Sequence, residues 1–295
     1  MAESVTHTRR SFLAAAGFGL AAARVATAAE KASAWQIGCW TRPWDKHDYR
    51  VALDAIGEAG FKHAGLMTAK GTNGLVISTA TTPEEAQQIG EEVKKRGLSV
   101  PCVYGGGFPV GEAGVAALKK LLDCCAAVGA KALMAGGTDS PKQNDLYYKT
   151  IAECCPYAAE KGMEIVLKPH GGLNATGPQC RKCVETVAQK NFRLWYDPGN
   201  IYFYSNGELD PAKDAATVDG VVSGMCVKDY KHPREVLVTP GTGQVDFRAV
   251  LAALKKGGFT GGPLVIETLT PGDLPALLAE ARKARKFVED LVAQG

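Results

Sequence analysis

Four short stretches in the second half of the chain carry side chains whose chemistry belongs together: Lys168-Pro169-His170, Asp197 with Asn200, Cys226 with Lys228 and Asp229, and Glu267. Each closes a short apolar run, so each is delivered from the end of an extended segment rather than from a helix face. Proton abstraction beside a carbonyl needs a base near the carbon and a positive group near the oxygen. Glu267 supplies the first and Lys168 the second. His170 is a further acid or base, the alternative being a neutral side chain hydrogen-bonded within a pocket wall. A desolvated lysine has another option, a Schiff base with a ketone, which leads towards elimination or aldol cleavage.

The segments that end in these residues must converge. Read by periodicity, short apolar runs alternate with amphipathic stretches, the pattern of βα units around a parallel sheet. Eight strands are expected, over 36–41, 63–67, 99–104, 132–135, 164–168, 193–197, 223–228 and 263–268. A helix follows each, such as 83–96 after Thr81-Thr82-Pro83 with Gly97 as its stop. Eight such units without an extended antiparallel stretch predict a closed, single-domain (β/α)8 TIM barrel over residues 29–295. In a barrel, polar residues at the carboxyl ends of strands face one shared pocket, which is where Lys168, Asp197, Lys228 and Glu267 fall. Gly105-Gly106-Gly107 and Gly136-Gly137 lack the spacing of a dinucleotide or phosphate loop and read as strand-end loops.

Residues 1–28 follow targeting rules instead. Arg9-Arg10 precede an apolar run from Phe12 to Ala23, and Ala26-Thr27-Ala28 gives a small-residue cleavage pattern. The paired arginines before Ser11-Phe12-Leu13 are similar to the twin-arginine signal, so the chain is expected to be exported to the periplasm; an amphipathic or buried first helix is the alternative. The run is too short to span a bilayer. Cleavage removes Arg9, Arg10, Arg24 and Glu3, leaving 31 basic against 30 acidic residues from 34 and 31. That balance offers nothing to nucleic acid or to an anionic membrane. All nine cysteines follow the leader, and an odd number cannot all pair internally. Buried thiols and a disulfide between neighbouring helices both remain open, whereas a zinc site lacks the second Cys-x-x-Cys step it needs.

Together Tyr196-Asp197-Pro198-Gly199-Asn200, Val227-Lys228-Asp229, Pro240-Gly241-Thr242-Gly243-Gln244-Val245-Asp246-Phe247 and Ile266-Glu267 resemble the sugar phosphate isomerase/epimerase group of xylose isomerase-like TIM barrels. The resemblance implies a divalent metal held by Glu, Asp, His and Glu on strands five to eight, with the two Glu residues passing a proton between adjacent sugar carbons. Asp197 and Glu267 match. Lys168 stands at the first Glu position and Cys226 at the His position, while Asn200 takes the place of a substrate-contacting His. An ammonium repels a divalent cation at a few ångströms, so no cofactor is expected; Mn, Mg or Zn stands as the alternative. Lys168, Asp197 and Glu267 sum to −1, as do three carboxylates with one divalent cation. Cys226 either fills space or, as a thiolate, binds a soft metal with Asp197, Glu267 and His170.

These readings lead to an exported enzyme that isomerises or epimerises an unphosphorylated carbohydrate, with Lys168, Glu267 and His170 catalytic. Trp40, Trp44, Asn200 and Lys228 are the expected substrate contacts, the indoles stacking on the apolar face of a sugar. A catalytically silent carbohydrate-binding barrel and a lysine-dependent sugar lyase or dehydratase are the alternatives. An abasic-site endonuclease on the same fold fits poorly with four histidines after the leader and little net positive charge.

Overall fold

Eight parallel strands run in the order β2-β1-β8-β7-β6-β5-β4-β3 in the computed structural model, which describes residues 34–71 and 73–294. They are β1 (Trp35–Trp40), β2 (His63–Gly65), β3 (Val103–Tyr104), β4 (Ala132–Ala135), β5 (Glu164–Leu167), β6 (Phe192–Tyr196), β7 (Val222–Val227) and β8 (Gly262–Ile266). The β2–β3 seam is closed by single bridges, His63 to Ser99 and Leu66 to Val103, so the chain forms the expected (β/α)8 barrel. The third strand is much shorter than the 99–104 expected. Pro101 lacks an N–H and cannot join a ladder, so regular pairing begins only after it. The expected leader, 1–28, lies outside the described residues. No helix among the described residues is long and apolar enough to cross a membrane.

Helices α1 (Tyr49–Glu58), α2 (Pro83–Lys95), α3 (Gly111–Val128), α4 (Asn144–Glu160), α5 (Gly177–Val187), α6 (Pro198–Tyr204), α7 (Pro211–Ala215), α8 (Phe247–Lys256) and α9 (Leu274–Ala293) surround the strands. Their starts follow local chemistry. Thr82 and Glu85 form a reciprocal capping box at α2, Thr176 and Gln179 another at α5, and Pro occupies the first turn of both. One apolar layer lies between strands and helices, and nine cysteines are buried as free thiols.

A second cluster fills the barrel itself and includes Trp40, Met67, Cys102, Val166, Trp195, Cys226 and Val265. Trp195 and Trp40 meet there at 6.0 Å between ring centroids. Gly224 on β7 makes this possible, since a Cβ at that position would lie 2.4 Å from the Trp195 indole. This filled interior is the floor on which the site stands.

Candidate functional site

Side chains alternate along a strand, so a residue two positions beyond an interior residue points the same way and one layer higher. Val166, Trp195, Cys226 and Val265 all belong to the interior cluster. Lys168, Asp197, Lys228 and Glu267 follow them by two positions on four adjacent strands, and all four are buried at the mouth. Gly199 leaves room for one of them, because a Cβ there would lie 2.7 Å from Lys228 Cγ. The geometry is dense: Lys168 Nζ lies 2.5 Å from Glu267 Oε2 and 3.3 Å from Asp197 Oδ2. Lys228 Nζ lies 2.7 Å from Glu267 Oε1 and 3.3 Å from Asp197 Oδ2.

A third cation, absent from the sequence reading, completes the group. Arg42, on the short 3-10 turn Arg42–Trp44 after β1, places Nη1 2.5 Å from Glu267 Oε1. The expected charge sum of −1 therefore needs correction, because Lys228 and Arg42 join the cluster and bring it to +1. The only signal for Arg42 was its position two residues after the interior Trp40, which the turn bends out of the strand pattern.

These contacts set the protonation states. Burial opposes the charged form of Glu267, but Lys168, Lys228 and Arg42 outweigh it and hold the carboxyl well below the usual range. Burial likewise opposes the Lys168 ammonium, and the Glu267 and Asp197 carboxylates outweigh it, so the lysine is held above its ordinary range. Burial pushes the Cys226 thiol well up, leaving no thiolate at neutral pH. His170 is pushed down, first by desolvation and then by the charges of Lys168 and Lys228, so its imidazole is neutral at pH 7.

Asp197, Cys226 and Glu267 offer donor atoms within 4.8 Å of one another. A divalent cation does not fit this set as it stands. Both carboxylates are already paired with the Lys168 and Lys228 ammonium groups, whose charges repel a divalent cation at this range.

The expected substrate contacts lie elsewhere than at an open surface. Trp40 and Trp44 are 0% and 1% exposed, one inside the barrel and the other between strands and helices, and neither indole presents a face to a ligand. Asn200 bonds within the protein: its backbone N–H donates to Asp197 Oδ1, its Nδ2 donates to Pro169 O, and its Oδ1 accepts from Lys228. Lys228 donates to Asn200 Oδ1 and pairs with the Asp197 and Glu267 carboxylates as ion pairs. Lys168 finds two acceptors, leaving one donor direction free among the described residues. Asp229 is buried and accepts from the backbone N–H groups of Tyr230, Gly241, Gly243 and Val245. It shapes the loop after β7.

Two clefts open beside the cluster. One, of about 270 Å³ on the β1–β8 side, is lined by Arg42, Lys46, His47, Leu237, Glu267 and Thr268 among others. The other, of about 240 Å³, is lined by Tyr104, Asp139, Gln143, Tyr147 and His170 with the expected glycine loops at Gly106, Gly107, Gly136 and Gly137.

A profile described as xylose isomerase-like TIM barrel matches residues 53–291. A comparison with curated protein sequences finds no match. Among solved structures, a D-psicose 3-epimerase crystallised in the presence of D-fructose is similar with a TM-score of 0.69 at 13% identity, over 87% of this chain and 99% of that one. A xylose isomerase domain protein from Planctomyces limnophilus gives 0.68 at 20% identity, over 88% and 99%. An L-ribulose 3-epimerase gives 0.66 at 16% identity, over 88% and 95%. At these identities the likeness is one of fold.

Proposed function

This chain belongs to the xylose isomerase-like TIM barrel family, and from that membership we propose an isomerase or epimerase of an unphosphorylated carbohydrate, exported to the periplasm, that works without a resident divalent metal. The epimerase folds of the solved neighbours support the substrate class. The observation that carries the mechanism is the buried Lys168–Glu267 pair at 2.5 Å, with one Lys168 donor unspent.

A ligand carbonyl oxygen takes that third donor. Negative charge building on the oxygen then meets an ammonium already fixed by two carboxylates, so little reorganisation accompanies the reaction. At rest Glu267 is a weak base because three cations hold it. When the ligand oxygen draws on Lys168, Glu267 recovers basicity as the neighbouring C–H acidifies. Glu267 takes that proton, Lys168 holds the enolate oxygen, and Glu267 returns the proton on the same face to the adjacent carbon. His170, a neutral imidazole, moves the hydroxyl proton between the two oxygens that isomerisation exchanges. A Schiff-base lyase is disfavoured, since it needs a neutral amine and Lys168 is held as the ammonium.

A silent carbohydrate binder is the second reading, favoured by the saturation of Glu267 with three cationic partners. Incubation with ketoses and aldoses in deuterated water containing chelator separates the two. Enzyme function predicts deuterium at the carbon beside the carbonyl, lost at least a hundred-fold in Lys168→Met and Glu267→Gln. Sugar binding with no exchange in any bound sugar establishes the binder instead.

A further inference from the structure

The four buried members of the cluster cancel: two ammonium groups, Lys168 and Lys228, face two carboxylates, Asp197 and Glu267. The surplus charge belongs to Arg42, whose side chain is 32% exposed. Its one hydrogen bond among the described residues, from Nη1 to Glu267, leaves most of the guanidinium fork without an acceptor. Arg42 lines the cleft of about 270 Å³ on the β1–β8 side, together with Thr268. The Thr268 hydroxyl is buried and has no hydrogen-bond partner among the described residues, a state that costs free energy unless a ligand satisfies it. The nearby Lys46 and Asp45, both exposed on the same wall, cancel and leave the region at +1.

We infer that this cleft takes a sugar acid, whose carboxylate docks on the unspent fork of Arg42 and accepts from the Thr268 hydroxyl. The inference rests on the carbohydrate reading above and narrows it to a charged class. A planar carboxylate matches two parallel guanidinium N–H bonds, a geometry that an ammonium cannot offer. One negative charge neutralises the region, whereas a phosphate dianion overshoots it. Leu237, Leu269 and Leu277 line the same cleft and suit the C–H face of a sugar ring. Anchored there, the ligand lies beside Glu267, the residue shared between cleft and charge cluster.

The test is calorimetric titration of purified protein with matched pairs: D-glucuronate and D-glucose, D-galacturonate and D-galactose, D-gluconate and D-glucitol. At least one acid should bind ten-fold or more tightly than its neutral partner. Arg42→Met should weaken that acid roughly ten- to a hundred-fold more than its neutral partner, and Arg42→Lys should restore part of the preference. An Arg42 that only positions Glu267 would weaken acid and neutral sugar alike, and that result overturns the inference. Neutral sugars binding as tightly as acids to the unaltered protein overturn it too, while leaving the carbohydrate reading intact. Failure of every acid and every neutral sugar to bind overturns both.

Discussion

Replacing Lys168 with Met removes an ammonium that lies 2.5 Å from Glu267 and 3.3 Å from Asp197, with all three side chains at 5% exposure or less. Methionine keeps an unbranched apolar stem one atom shorter, so the loss is chiefly of the ammonium, its charge and its hydrogen bonds. Removing one partner of a buried ion pair costs about 3–5 kcal/mol, because the remaining charge is left under-compensated. Lys228 and Arg42 still face the carboxylates, which places the expected cost at about 3 kcal/mol, the lower end of that range. For a domain of this size each kcal/mol moves Tm by about 2–4 °C, so thermal unfolding should fall by about 6–12 °C at pH 7. The pH dependence identifies the cause. The carboxyl of Glu267 is depressed in the folded state, so its contribution is present above the usual value of 4.5 and is lost as pH falls through the folded value. Lys168 is raised, so its contribution is present below 10.5 and is lost as pH rises through the folded value. The deficit of the variant should therefore be constant between about pH 5 and 10 and shrink outside that window. Thermal melts of both proteins across the pH range measure it. A deficit under about 1 °C at pH 7, or one that grows towards acid, would refute the pairing argument.

Purified protein should carry well under one equivalent of divalent metal, and chelation should leave its Tm unchanged, as elemental analysis and melts will show. Lys168→Glu alone should gain little Mn affinity because Lys228 still bridges both carboxylates, whereas Lys168→Glu with Lys228→Met should bind Mn measurably by calorimetry. A reporter fused to residues 1–34 should be exported, and Arg9-Arg10 changed to Lys-Lys should retain it in the cytoplasm; normal export of the Lys-Lys fusion removes the twin-arginine assignment. Asp229→Ala leaves four backbone N–H groups without their acceptor and should cost about 3 kcal/mol or more in denaturant unfolding, with faster amide exchange over 240–245.

The sequence by itself determined the barrel and the direction of its key side chains. Strand periodicity is local, and Lys168, Asp197, Lys228 and Glu267 each follow an apolar interior residue by two positions, so their inward aim was legible before any contact was known. What these side chains meet was decided only by closure of the barrel. β8 lies between β1 and β7, which brings Arg42 from one neighbour and Lys228 from the other onto the same Glu267 carboxylate, across 225 and 39 residues of chain. No spacing in the sequence encodes that approach, and without it the charge of the site was read with the wrong sign. Trp40 and Trp44 illustrate the same limit. An aromatic residue near a strand end has the composition of a sugar platform, but burial depends on what packs over it, and here Gly65, Trp195 and the surrounding core leave the indoles no open face. Local pattern fixes which way a side chain points, because it depends on backbone geometry alone; its partner and its exposure depend on distant segments that only the folded chain brings together.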